Sequence, residues 1–149
     1  MDDPKTFFNL LNYSNRLKRN KKYLNKEEPE TFDRLLKFLV RIENNLHYSE
    51  NQEYIKLAKN FLADKITAAD FSYSFMAIYE AVSRKLTQMK ANESLELANF
   101  LKSSRPELVK LFARIYGSYD SYSPDPKVEI AIKELKDYAQ ILLFKLQED

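Results

Sequence analysis

The stretch YIKLAKNFLADKITAADFSYSFMAIYEAVSR, Tyr54–Arg84, decides the fold class. Its apolar residues recur at the three- and four-residue spacing of a helix, not in the alternation of a strand. Tyr54, Ile55, Leu57, Ala58, Phe61 and Leu62 make one such face. Phe71, Phe75, Ile78, Tyr79 and Val82, continued by Leu86, make a second that holds its period for about five turns. Between them, Asp64 and Lys65 mark a tight turn, and Thr67 with Asp70 has the spacing of a capping box, with Asp in place of Glu or Gln. Two amphipathic helices joined by a short polar turn need each other's apolar faces, which predicts helix packed on helix.

The same reading extends in both directions. Asp3 and Pro4 start a helix carrying Phe7, Phe8, Leu10, Leu11, Leu17 and Leu24, and Asn25 to Pro29 is a polar break. Thr31 opens a helix through Phe32, Leu35, Leu36, Leu39, Ile42 and Leu46, which Asn44, Asn45 and the polar run beyond are expected to end. Ser49 with Gln52 has capping-box spacing for the next helix. After Leu86, Asn92 is expected to cap a shorter helix with Leu95, Leu97, Ala98, Phe100 and Leu101. Ser104, Pro106 and Glu107 start another, with Leu108, Leu111, Phe112, Ile115 and Tyr116 on its face and Gly117 expected just past its end. Asp125 and Pro126 start the last helix, faced by Val128, Ile130, Ile132, Leu135, Tyr138, Ile141, Leu142 and Leu146. The expectation is an all-α fold, a compact antiparallel bundle of six or seven helices in one domain, 1–149, without a sheet.

Composition agrees. One glycine and five prolines in 149 residues leave little for the turns of a β fold. That single glycine also rules out a glycine-rich phosphate loop, and the absence of cysteine rules out disulfides, thiolate metal sites and a Cys nucleophile. His47, the only histidine, falls in a stretch read as a polar linker, where a surface or capping role is expected before a catalytic one. Carboxylate pairs such as Glu93 with Glu96 and Glu134 with Asp137 lie opposite the apolar stripes and read as solvated faces. No catalytic, cofactor-binding or metal site is expected, so the chain is read as a binding protein and not an enzyme. No apolar run approaches the ~20 residues that span a bilayer, and the first residues are acidic where a signal peptide would be basic. The expected setting is the cytoplasm or a soluble organellar compartment such as a plastid stroma.

Two segments stand out for binding. Arg16, Lys18, Arg19, Lys21, Lys22 and Lys26 fall within eleven residues and enclose Tyr23, a pattern that could neutralise phosphates of a nucleic acid or simply solvate a helix end. Tyr116, Tyr119 and Tyr122 with Asp120 and Asp125 offer either a contact patch for a basic partner or a cover for the bundle end. Phe71, Tyr73, Phe75 and Tyr79 read as core.

The deciding stretch also resembles the colicin D-type immunity proteins, a bacterial self-protective family. The matching positions are Leu57, Ala58, Lys59, Phe61, Leu62, Lys65, Ile66, Thr67, Ala68, Asp70, Phe71 and Ser72. A weaker likeness lies in Tyr119, Asp120, Pro124 and Asp125 before the final helix. The resemblance runs from about Gln52 to the end, and makes 51–149 an immunity-like bundle preceded by a helical extension, 1–50. It implies a four-helix bundle that occludes the basic active site of a nuclease toxin with acidic residues, here Asp70, Asp120, Asp125 and Glu129, flanked by Glu80 and Glu134. A structural or accessory subunit of a larger assembly, ribonucleoprotein or organellar, is the alternative expectation.

Overall fold

Apolar periodicity becomes helix nearly everywhere it was read. The computed structural model describes residues 3–102, 107–120 and 128–147, with the side chains of 117–120 and 128–131 outside that description. Its elements are α1 (Asp3–Arg19), α2 (Leu24–Glu27), α3 (Pro29–Ser49), α4 (Asn51–Leu62), α5 (Ala68–Ala91), a 3₁₀ helix (Leu95–Phe100), α6 (Val109–Asp120) and α7 (Val128–Gln147). The fold is all-α, and no strand occurs among the described residues.

The chain divides into two units, one of Met1–Leu46 with Ser83–Ser104, the other of His47–Val82 with Arg105–Asp149. In the first, Phe7, Leu10, Leu11, Leu24, Leu35, Ile42, Leu46, Leu86, Met89, Leu97 and Leu101 are buried. Polar clasps join its helices. Asn12 Nδ2 donates to Glu93 Oε1 at 2.9 Å, Asn15 Nδ2 to the Lys90 carbonyl at 3.0 Å, and Arg41 Nη1 to both Asp3 Oδ2 and the Leu101 carbonyl at 3.4 Å.

In the second unit, α4, α5, α6 and α7 share one core built around Tyr54, Ala58, Phe61, Phe71, Phe75, Phe112, Ile115, Leu135, Ala139 and Leu142. The rings stack through it, with Phe61 on Phe71 at 4.5 Å and Phe75 on Phe112 at 5.6 Å between centroids. Tyr48 donates to the Lys145 carbonyl at 2.6 Å, satisfying an acceptor that the last turn of α7 leaves open.

Glycine is scarce, so the helices stop by another route. In α1, Lys22 N–H reaches the Leu17 carbonyl and Lys21 N–H the Lys18 carbonyl, with Lys21 left-handed at φ 58°. The same pair of bonds closes α4 around Asp64 (φ 57°) and α5 around Glu93 (φ 49°). These are Schellman stops, which normally take glycine at the left-handed residue. The one glycine is not used for this. Gly117 does not end its helix as expected, because α6 continues through it to Asp120.

Other boundaries also shift. The polar break after Leu24 holds the single turn α2, and α3 opens at Pro29, not Thr31. Asn44 and Asn45 do not end α3. Both are buried inside it, and Asn45 Nδ2 donates to the Phe100 carbonyl, so the amide donor of a side chain read as a breaker is drawn away from the local backbone and the helix continues. α3 therefore reaches Ser49, and α4 is capped at Glu50 without a side-chain bond, not by Ser49 and Gln52. Asn92 belongs to the end of α5, and Ser94 caps the 3₁₀ helix by accepting from Glu96 N–H at 3.3 Å.

Candidate functional site

The segment that carries the family resemblance folds as a helical hairpin. Its turn is the Asp64 stop followed by Thr67, whose Oγ1 accepts the Asp70 N–H at 3.1 Å. Asp70 sits exposed in the first turn of α5, where the helix dipole favours a carboxylate. Three residues on, and so on the same side of the helix, Tyr73 is 66 % exposed, which corrects its assignment to the core. Tyr73, Ser74, Ala77 and Ile78 of α5 face Glu53, Lys56, Leu57 and Asn60 of α4 across an open groove of ≈ 350 Å³. A protruding ring beside small residues is the geometry of an interface anchor, and sequence reasoning missed it because Tyr73 is flanked by true core aromatics at Phe71 and Phe75.

Glu80 lies ten residues beyond Asp70, about 15 Å along the helix, so the two acids are not one cluster. It is half-buried and accepts from the Tyr116 hydroxyl at 3.4 Å, while the Tyr116 ring packs on Tyr79 at 4.8 Å. That contact brings Glu80 beside the final turns of α6. Tyr119 and Asp120 are in that helix with their side chains outside the described residues, as is the side chain of Glu129 in α7. Tyr122 and Asp125 lie outside the described residues altogether.

A second groove, of ≈ 270 Å³, runs between α6 and α7 past Lys110, Arg114, Tyr138, Ile141 and Lys145. Ile141, expected to face inward, is 43 % exposed and Phe144 is 68 % exposed.

His47 is the largest departure. It is fully buried in α3, its Nδ1 2.9 Å from the Tyr54 hydroxyl and its ring stacked on Phe112 at 4.3 Å and near Tyr79 at 5.1 Å. The expected surface histidine in a linker is instead part of the second unit's aromatic core, because α3 does not end where the asparagines suggested.

In the first unit, Arg16, Lys18, Arg19, Lys21, Lys22 and Lys26 are all exposed. Arg16 lies over the Tyr13 ring at 5.8 Å, and Tyr23 is 52 % exposed. The acids that follow them are partly engaged: Glu28 accepts from the Tyr13 hydroxyl and, at 3.1 Å, from Thr31 Oγ1. The Glu28 carboxylate holds the Tyr13 phenol above its usual range, chiefly through that hydrogen bond. Lys90, which sequence reasoning passed over, joins the basic group from the end of α5. Its ammonium is held below the ordinary lysine range, first by burial and then by the charge of Lys18, with Glu43 pulling the other way.

Among the described residues, no three His, Asp or Glu side chains are grouped to hold a metal ion, and no helix is long and apolar enough to cross a membrane. No protein-family model, curated protein or solved structure matches the chain.

Proposed function

We propose that this chain is a non-catalytic binding protein of the colicin-immunity type, whose bundle docks a protein partner, with the basic site of a nuclease toxin domain as the target. The observation that carries the reading is the shared core of α4, α5, α6 and α7, which gives the segment LAKNFLADKITAADFS the four-helix setting its resemblance implies. Asp70 and Tyr73 on the open side of α5 supply an exposed carboxylate and an exposed ring on one ridge. A ring anchors by contact area and an acid steers and registers a basic partner. Glu80 adds a half-buried carboxylate at the Tyr116 contact, and the resemblance implies Asp120, Asp125 and Glu129 as further acids.

A second reading, an accessory subunit of a larger assembly, draws on the first unit, where Leu95 is 79 % exposed and the bases of α1 and α2 point outward. Affinity purification of the tagged protein from its native cells, with mass spectrometry of what accompanies it, separates the two. One small basic nuclease-like partner, lost with Asp70→Ala and Tyr73→Ala, supports the first. Many subunits of one particle support the second. Recovery of no protein from an extract that retains native complexes removes both.

A further inference from the structure

The bases of the first unit form a surface whose chemistry differs from that of the proposed docking ridge. Arg16, Lys18 and Arg19 occupy the last turn of α1, Lys21 and Lys22 follow the Schellman stop, and Lys26 lies in α2. Among the described residues none of these six pairs with a carboxylate. Bases in a last turn complement the helix dipole, which accounts for Arg16, Lys18 and Arg19. It does not account for Lys21 and Lys22, which lie past that end, and Lys26 stands beyond them in the single turn of α2. Nor does it account for Lys90, whose backbone carbonyl accepts from Asn15 at 3.0 Å and whose ammonium is brought within the repulsive field of Lys18. An anion bound at this surface would offset the repulsion that Lys18 adds at the Lys90 ammonium. Tyr23 stands in the middle of this group, 52 % exposed, with Lys22 before it and Lys26 three residues after it.

We infer that the α1–α2 corner of the first unit, with Lys18 and Lys90 at one side and Tyr23 at its centre, is a binding surface for single-stranded nucleic acid. The lysines and arginines take the phosphodiester backbone, and the Tyr23 ring stacks on a base. Alternating cations and an exposed ring are what such a strand needs: phosphates for charge neutralisation and a π-face that tolerates any base. The site is independent of the immunity reading, since it uses different residues in a different unit.

The test is fluorescence anisotropy of a labelled single-stranded RNA of about 12 mixed nucleotides titrated with the full chain. Binding is expected at about 50 mM salt. With four to six phosphates contacted and a slope of about −0.7 per phosphate, raising salt to about 200 mM weakens it roughly 50- to 300-fold. Lys21→Ala with Lys22→Ala flattens the slope by about 1.4. Tyr23→Ala weakens binding about 5- to 150-fold with the slope kept, whereas Tyr23→Phe binds like the parent. Circular dichroism and thermal melting of each variant establish that the fold is retained. No anisotropy change at about 50 mM salt overturns the proposal. So does an unchanged slope in the double lysine variant. Equal binding to a duplex with no effect of Tyr23→Ala overturns the single-strand assignment, and binding confined to vesicles containing anionic phospholipid assigns the surface to a membrane instead.

Discussion

The second unit packs around stacked rings, whereas the first adds long-range polar clasps to a largely aliphatic core. In the second, His47, Tyr54, Phe75, Tyr79 and Phe112 pack with centroids 4.3 to 6.4 Å apart, and most of these rings come from stretches whose helical period is plain. In the first, helix ends are fixed by amide and guanidinium groups reaching backbone or carboxylate oxygens 38 to 81 residues away. Apolar burial is non-directional and written into local spacing, whereas a polar clasp depends on one distant partner.

The largest effect should come from the rings. Phe112 is fully buried and touches His47, Tyr54, Phe75 and Tyr79, so Phe112→Ala should cost about 3–5 kcal/mol in urea denaturation. Hydrogen exchange should show the loss of protection in α4, α6, α7 and the first half of α5. Equal loss in α1 would break the distinction between the two units.

Next comes a clasp. Asn45→Ala removes the donor to the Phe100 carbonyl and should cost about 1–3 kcal/mol. Faster exchange in the last turns of α3 and in the 3₁₀ helix would show that this bond carries α3 past its asparagines. Unchanged exchange there would mean that apolar packing alone carries it.

This contrast explains how far the sequence could be read. The hairpin Tyr54–Arg84, its turn and its Thr67 cap were legible because every signal lies within five residues of its partner. The end of α3 was not, because Asn44 and Asn45 break a helix only when their side chains compete for local backbone, and here the Asn45 amide is engaged by Phe100. The burial of His47 was lost with that boundary. Of the candidate site, Asp70 and the basic group stand exposed as expected, while Tyr73 was hidden by the core aromatics on either side of it and Lys90 by lying 64 residues beyond Lys26. Tyr122 and Asp125 lie outside the described residues.

A smaller effect compares the helix stops. Lys21→Gly relieves a left-handed residue and should raise stability by about 0.5–1 kcal/mol. Asp64→Gly relieves the same strain in the second unit but gives up the Asp64 ion pair with Lys136, a surface pair of about 0–1 kcal/mol, so it should gain less. Thermal melts of the two variants check the order.

The smallest effect is a pH dependence in the first unit. Lys90 ionises below the usual 10.5, so between its folded value and 10.5 the unfolded chain holds more protons and stability rises with pH. The raised Tyr13 phenol works in the opposite sense, since the folded chain then keeps a proton that the unfolded chain has lost. Comparing the parent with Lys90→Met isolates the first term. Urea midpoints should favour the variant at pH 7, and that advantage should shrink as the pH passes through the window.

The buried position of the one histidine gives the molecule a built-in reporter. The imidazole ring protons of His47 lie against the faces of Phe112 and Tyr79, so the ring currents of those neighbours shift their proton magnetic resonances away from ordinary histidine frequencies. With no second histidine in the chain, these signals need no assignment by mutation. Their return to ordinary frequencies on heating, or their displacement when a partner binds, would track the opening of the aromatic core from a single unlabelled spectrum.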